Sequence, residues 1–220
     1  MNLPDVEQAR FNMIEQQIRP WDVLDAEVLR VLAEVKREDF VPNPFKAMAF
    51  ADMAVPLPGQ QMMLAPRLQA RLLQDAAVQP TDKVLEIGTG SGFTTAMLAS
   101  QAQRVISLEI NAELADLARA NLQRANIHNA DVRCADGAKG AAEQAPFDVI
   151  VLGGSVSEVP HALLAQLKIG GRLVGIVGDE PVMHALLITR TSETNFKTDE
   201  KWDDNAPRLL NFPEPSTFKF

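Results

Sequence analysis

Apolar positions fall at helical spacing in the first third of the chain and mostly at strand spacing beyond it. The change comes near residue 83. In residues 5–19, Met13, Ile14 and Ile18 share one face, and in residues 25–36 Val28, Leu29, Leu32 and Val35 do the same, so both segments read as amphipathic helices. Asp25 stands where the second helix needs an N-cap. Pro42 and Pro44 close this region. Residues 45–65 show little periodicity and contain Pro56, Pro58 and Gly59; a long segment with no structure of its own is often a binding loop. Pro66 fits the first turn of a helix carrying Leu68, Leu72, Leu73 and Ala76, which stops before Pro80.

From Lys83 onward strand and helix patterns alternate. The strands read as 83–87, 104–109, 131–135, 147–152 and 172–177, with helices near 92–101, 111–124 and 160–168 and a stop at Gly170-Gly171. Two more strand-like runs, Val182–Arg190 and Asn195–Trp202, have no helical pattern between them and predict an antiparallel pair on the sheet edge. The expected fold is α/β, a doubly wound, mostly parallel seven-stranded sheet with an N-terminal helical extension. Residues 1–80 form the extension and loop, residues 81–220 the sheet domain, and the two are expected to make one compact unit.

The densest chemical signal lies at the end of the first predicted strand. Val84-Leu85-Glu86-Ile87 runs into Gly88-Thr89-Gly90-Ser91-Gly92 and then into a helical pattern. Seventeen residues past Gly92 the next strand ends in Glu109. Strand, glycine turn, helix and a second strand ending in an acid are the parts of a nucleoside-cofactor site. The glycines allow a sharp turn and a close approach of backbone to ligand. A carboxylate at Glu109 can accept from both ribose hydroxyls. Dinucleotide sites prefer G-x-G-x-x-G, with pyrophosphate on the helix N-terminus. Here the spacing is G-x-G-x-G, Phe93 stands where the third glycine would be, and Glu86 suits a cationic ligand better than a pyrophosphate. The segment Glu86–Gly92 with Glu109 resembles the cofactor motif of the seven-strand (class I) S-adenosylmethionine-dependent methyltransferases, which makes the expected sheet Rossmann-like. Glu86, Gly88, Thr89, Gly90, Gly92, Glu109 and Ile110 are the expected cofactor contacts. Asp136-Gly137, at the end of the third strand, joins them, with Asp136 accepting from the adenine amino group; a turn aspartate before glycine is the alternative. Gly153, Gly154 and Ser155 end the fourth strand, where the methyl acceptor should approach.

Composition narrows the class. The 220 residues suit one α/β domain or one with a small extension. Cys134 is the single cysteine, so neither a disulfide framework nor a cysteine-based zinc site is expected, and no metal is assigned. The segment Met1-Asn2-Leu3-Pro4-Asp5 lacks the basic and apolar parts of a signal peptide, and no uncharged apolar run approaches membrane-spanning length. The expectation is a cytoplasmic protein with no membrane partner. A formal charge of −8 argues against nucleic acid as the main partner. His128, His161 and His184 lie in separate segments and read as structural or surface residues.

The chain as a whole resembles the protein-L-isoaspartate O-methyltransferase family. The resemblance is carried by Arg10-Phe11-Asn12-Met13 and Gln16-Gln17-Ile18, then by Val35-Lys36-Arg37-Glu38-Asp39-Phe40-Val41-Pro42 beside the family's "V-P-R-E-x-F-V-P". Ala49-Phe50-Ala51-Asp52, Pro56-Leu57-Pro58, the cofactor segment and Ala145-Pro146-Phe147-Asp148 follow in order. Gln166–Val174 and the closing Asn211-Phe212-Pro213-Glu214-Pro215-Ser216 complete it. The resemblance implies S-adenosylmethionine as cofactor and a peptide α-carboxylate or isoaspartyl carboxylate as acceptor. Such a carboxylate is already ionised at pH 7, so no general base is required.

One departure bears on the acceptor. The family's loop reads "G-Q-T-I-S-x-P", with the serine contacting substrate; here it is Gln60-Gln61-Met62-Met63-Leu64-Ala65-Pro66. Leu64 and Met62 replace the serine and the threonine, and leucine donates no hydrogen bond. Leu64, Gly154 and Ser155 are the acceptor-site positions, with Ser155 or Ser157 as substitute donors or, alternatively, ordinary loop and capping serines. Three readings stay open: isoaspartyl repair methylation, methylation of a less polar acceptor such as an unidentified small molecule, and a cofactor-binding protein with a plugged acceptor site.

Overall fold

The computed structural model describes residues 3–214. Pro215 and Ser216 of the family-like ending, and Met1 and Asn2, lie outside the described residues. Helix α1 (Leu3–Met13) continues into a wider π turn (Ile14–Ile18) and a 3-10 turn (Arg19–Trp21). Pro20 has no N–H to give to the ladder, and the regular helix stops before it. Met13, Ile14 and Ile18 are buried, as their spacing predicts. Helix α2 (Ala26–Glu34) starts at Asp25, whose carboxylate caps the N–H groups of Glu27 and Val28. The segment expected to be irregular contains short 3-10 turns and a two-residue hairpin, β1 (Val55–Pro56) against β2 (Met62–Met63). Two residues per strand leave no periodicity to read. Helix α3 (Pro66–Ala76) begins at Pro66 as expected.

The main sheet contains β3 (Lys83–Ile87), β4 (Arg104–Glu109), β5 (Ala130–Cys134), β6 (Phe147–Val156), β7 (Leu167–Asp179), β8 (Val182–Arg190) and β9 (Phe196–Asp203). Its order is β5-β4-β3-β6-β7-β8-β9. The first five are parallel, and β8 and β9 complete an antiparallel edge. The chain runs outward from β3 through β4 to β5 and then returns to β3's other side as β6. The crevice at the carboxyl ends of β3 and β6 is therefore a topological switch point, where α/β sheets bind ligands.

Alternation along the strands splits the core. Val84, Val105, Val149 and Val174 face a cluster shared with α4 (Phe93–Ala99), α5 (Ala112–Arg124), α3 and the N-terminal helices. Leu85, Ile87, Ile106, Leu108 and Ile150 face the other side. Among the described residues that side is covered by one short helix, α6 (His161–Leu164), with 3-10 turns at Gly137–Lys139 and Ala142–Gln144. The helix expected over 160–168 ends early because Leu167 already pairs with Phe147 as the start of β7. The fourth strand likewise runs past residue 152 to Val156, through an irregularity between Val151 and Ser155.

Candidate functional site: a glycine cradle at the sheet switch point

The turn after β3 is a cradle with glycines where side chains would collide. Gly88 has φ +89°, and a Cβ there would lie 2.6 Å from the Leu209 side chain. Gly153, on β6, faces the same space; a Cβ there would come within 2.4 Å of the Gly88 carbonyl oxygen. The two strand ends approach backbone to backbone. The cleft is lined by Gly88, Gly90, Glu109, Ile110, Gly137 and Gly154 among others. Six of the expected site positions are thus brought together.

Glu109 is fixed at the rim. One carboxylate oxygen accepts from the Gly90 N–H at 2.8 Å and the other from the Asn111 N–H at 2.9 Å. Each oxygen keeps a second lone pair for a ligand hydroxyl. Asn111 caps α5, so strand, acid and helix start are tied in one place. Thr89 is buried, its hydroxyl 2.6 Å from that of Ser107. Gly92, at φ +88°, leads into α4.

Glu86 differs from its expected role. Alternation along β3 turns it away from the cleft into the face under α4, where it is fully buried. One carboxylate oxygen accepts from Ser107 at 2.6 Å and from Thr95; the other has no partner among the described residues. Burial pushes its pKa up to about 7, against the lowering by the Ser107 and Thr95 hydroxyls. It supports the turn from beneath instead of lining the cleft. Asp136 is also partly committed: it caps the Ala138 N–H at 2.9 Å and accepts from the Asn211 side chain at 3.2 Å.

The acceptor side brings the larger corrections. Ser155 is fully buried, and its hydroxyl donates to the Ala206 carbonyl at 2.7 Å. Its N–H bonds Pro207 and its carbonyl takes the Leu209 N–H. Ser155 therefore anchors a C-terminal strap, residues 206–212, across the strand ends. It offers no free donor to an acceptor. Ser157 is half-buried and its hydroxyl bonds Asp179 at 2.9 Å and Glu214. Neither serine replaces the one absent at Leu64. Leu64 itself is buried in the core, while Met62 is exposed at the rim of the cleft. No role for this strap is expected from the sequence pattern. Its one signal was the apolar group Leu209, Leu210 and Phe212 after the last strand, and all three line the cleft.

Comparison with known proteins decides the class. The family described as "Protein-L-isoaspartate(D-aspartate) O-methyltransferase (PCMT)" matches residues 8–203. The chain belongs to this family. It is 42% identical over 181 residues to a protein-L-isoaspartate O-methyltransferase of Koribacter versatilis, covering 82% of this chain and 81% of that one. A Rhodopseudomonas palustris enzyme of the same name is 39% identical over 210 residues, covering 93% and 96%. Among solved structures, a Plasmodium falciparum protein assigned to this enzyme class, in complex with S-adenosyl-L-homocysteine, superposes with a TM-score of 0.75 at 20% identity, covering 91% and 95%. The fold is thus the family's, and the family's cofactor is S-adenosylmethionine. The residues present fit it: a cleft lined by glycine backbone that a ligand can approach closely, and a rim carboxylate with lone pairs to spare. No described helix is long and apolar enough to cross a membrane.

Proposed function

We propose that this methyltransferase transfers the methyl group of S-adenosylmethionine to the free carboxylate of L-isoaspartyl residues in damaged proteins, the entry step of repair. The observation that carries this is the glycine cradle with Glu109 at a sheet switch point, in a chain whose family match runs nearly end to end. Glu109 would hold the ribose hydroxyls, Gly137 would let the adenine lie against backbone, and Gly153 and Gly154 would present bare backbone at the reaction centre. When bound, the cofactor supplies an electrophilic methyl on a sulfonium. The acceptor carboxylate is ionised at pH 7, so the protein's task is to hold an oxygen in line and exclude water. Consistent with this, His128 and His161 are exposed and His184 pairs with Asp203 on the edge strands. Residues 1–80 would supply the acceptor loop and residues 81–220 the cofactor cleft, as one unit. One exposed cysteine, Cys134, suits a cytoplasmic setting.

A second reading has its own observation. Leu64 is buried, Met62 rims the cleft, and both candidate serines are committed elsewhere. That wall suits a less polar acceptor. A methyl-transfer assay with labelled cofactor, on isoaspartyl and normal aspartyl peptides, separates the two. Selective transfer to the isoaspartyl peptide supports repair. Cofactor binding with transfer to neither peptide sinks it and leaves the second reading.

A further inference from the structure

Arg37 is fully buried, and among the described residues no carboxylate is in direct contact with it. Its Nε donates to the Ala49 carbonyl at 2.9 Å, one terminal nitrogen to the Leu64 carbonyl at 2.8 Å and the other to the Gln69 side-chain oxygen. Its guanidinium lies 5.2 Å from the centre of the Phe93 ring. All of these acceptors are neutral. The nearby acids bond elsewhere: Glu38 pairs with Arg10, and Asp52 with Arg67 at 2.9 Å, so Asp52 attracts the Arg37 charge without touching it. Among the described residues no carboxylate ion-pairs or hydrogen-bonds with Arg37. Burial lowers its pKa to about 9, so it stays charged at neutral pH. A buried charge whose direct partners are all neutral is costly, and a cation placed this way favours an anion nearby.

The anion's place is beside it. A small pocket between the acceptor loop and the glycine turn is lined by Leu64, Gln69, Ser91, Phe93 and Thr94 among others. Three of these touch Arg37. Gln69 accepts from Arg37 and donates its own N–H to the Thr94 hydroxyl at 2.8 Å, so its dipole passes the positive end toward the pocket. The Ser91 hydroxyl, also in the lining, is buried with no partner among the described residues.

We propose that Arg37 is a positioning residue that holds a ligand carboxylate in this pocket, acting through Gln69, with Ser91 as the direct donor. This rests on the methyltransferase reading and deepens it. Two sources offer a carboxylate: the amino-acid tail of the cofactor and the side chain of the isoaspartyl acceptor.

The test compares S-adenosylhomocysteine, which carries the tail, with 5′-methylthioadenosine, which lacks it, alongside the KM of an isoaspartyl peptide. In Arg37→Met, affinity for S-adenosylhomocysteine should fall about tenfold with methylthioadenosine unchanged if the tail is held. If the acceptor is held, peptide KM should rise by a similar factor while both nucleosides bind as before. Arg37→Lys keeps the charge and should recover most of the loss. Should Arg37→Met fail to fold, Gln69→Glu serves instead. The new acid pairs with Arg37, so melting temperature should hold or rise, and the carboxylate ligand should still weaken about tenfold. If the folded variants leave both nucleosides and the peptide KM within about twofold, Arg37 is only a staple and the proposal is wrong. Wild-type protein that binds neither nucleoside would instead overturn the reading of the cleft itself.

Discussion

The two walls of the cleft are built in different ways. The cofactor wall is local: one strand, five turn residues and one acid on the neighbouring strand, with Gly90 bonded directly to Glu109. The acceptor wall is assembled from distant pieces, the β1–β2 hairpin, the end of β6 and the 206–212 strap, joined by contacts such as Ser155 to Ala206. The first wall is made mostly of backbone and tolerates little change. The second includes side chains such as Met62, Leu209 and Phe212, with Leu64 buried behind the hairpin. Conservative geometry on one side with variable chemistry on the other is how one fold keeps a cofactor while changing acceptors.

The largest effect expected is where the two walls touch, backbone to backbone. Gly153→Ala puts a methyl 2.4 Å from the Gly88 carbonyl, and backbone must move to relieve it. Methyl transfer should fall at least ~100-fold, because a shift of about 1 Å at a reaction centre costs that much. A variant retaining near-normal turnover would show that the close approach of β3 and β6 is not needed.

Next comes the side-chain wall. Leu64→Ser removes a buried core residue and should cost about 3 kcal/mol of stability in denaturant unfolding. Cofactor affinity, measured by calorimetry, should change little, since the Leu64 side chain is absent from the glycine cleft and its carbonyl, which holds Arg37, is kept. If Leu64→Ser also gains isoaspartyl turnover that the wild type lacks, the second reading is the right one. Loss of cofactor affinity together with stability would break the comparison between the walls. Glu109→Ala should do the reverse. It should weaken the nucleoside by about 2 kcal/mol through loss of charged hydrogen bonds, with a smaller effect on the fold. Unchanged affinity would show that Glu109 serves only Gly90 and Asn111.

The same division explains what was legible in the sequence. The strand, turn and helix from Lys83 to Ala99 are written in contiguous residues, so their pattern could be read directly. Asp25 and Pro66 were readable for the same reason, because a cap or a first-turn proline acts within its own helix. Ser155 was not readable. Its neighbours suggest a loop donor, and only the fold brings residue 206 to its hydroxyl. Residues 160–168 misled because Leu163 and Leu167 fit helical spacing, while pairing with Phe147 draws Leu167 into the sheet. Arg37 was visible as part of a motif, but its burial without an acid depends on three segments closing around it.

Glu86 lies under the local wall, and its prediction is the smallest in size. Unfolded, it titrates near 4.5; folded, burial raises it to about 7. Between those values the folded chain keeps a proton that the unfolded chain has released. The stability this group contributes is therefore complete below pH 4.5 and is lost as pH rises through 7. Glu86→Gln keeps an acceptor for Thr95 and Ser107 but removes the titration. Relative to wild type it should gain on the order of 1 kcal/mol between pH 5 and pH 8, a fraction of what the full shift would allow. Denaturant unfolding at those two pH values measures it. A difference between variant and wild type that stays constant with pH would mean that Glu86 is ionised throughout and draws on a partner outside its two hydroxyls. Its unpartnered oxygen would then be the place to look, and the cofactor wall would rest on a buried charge instead of a neutral acid.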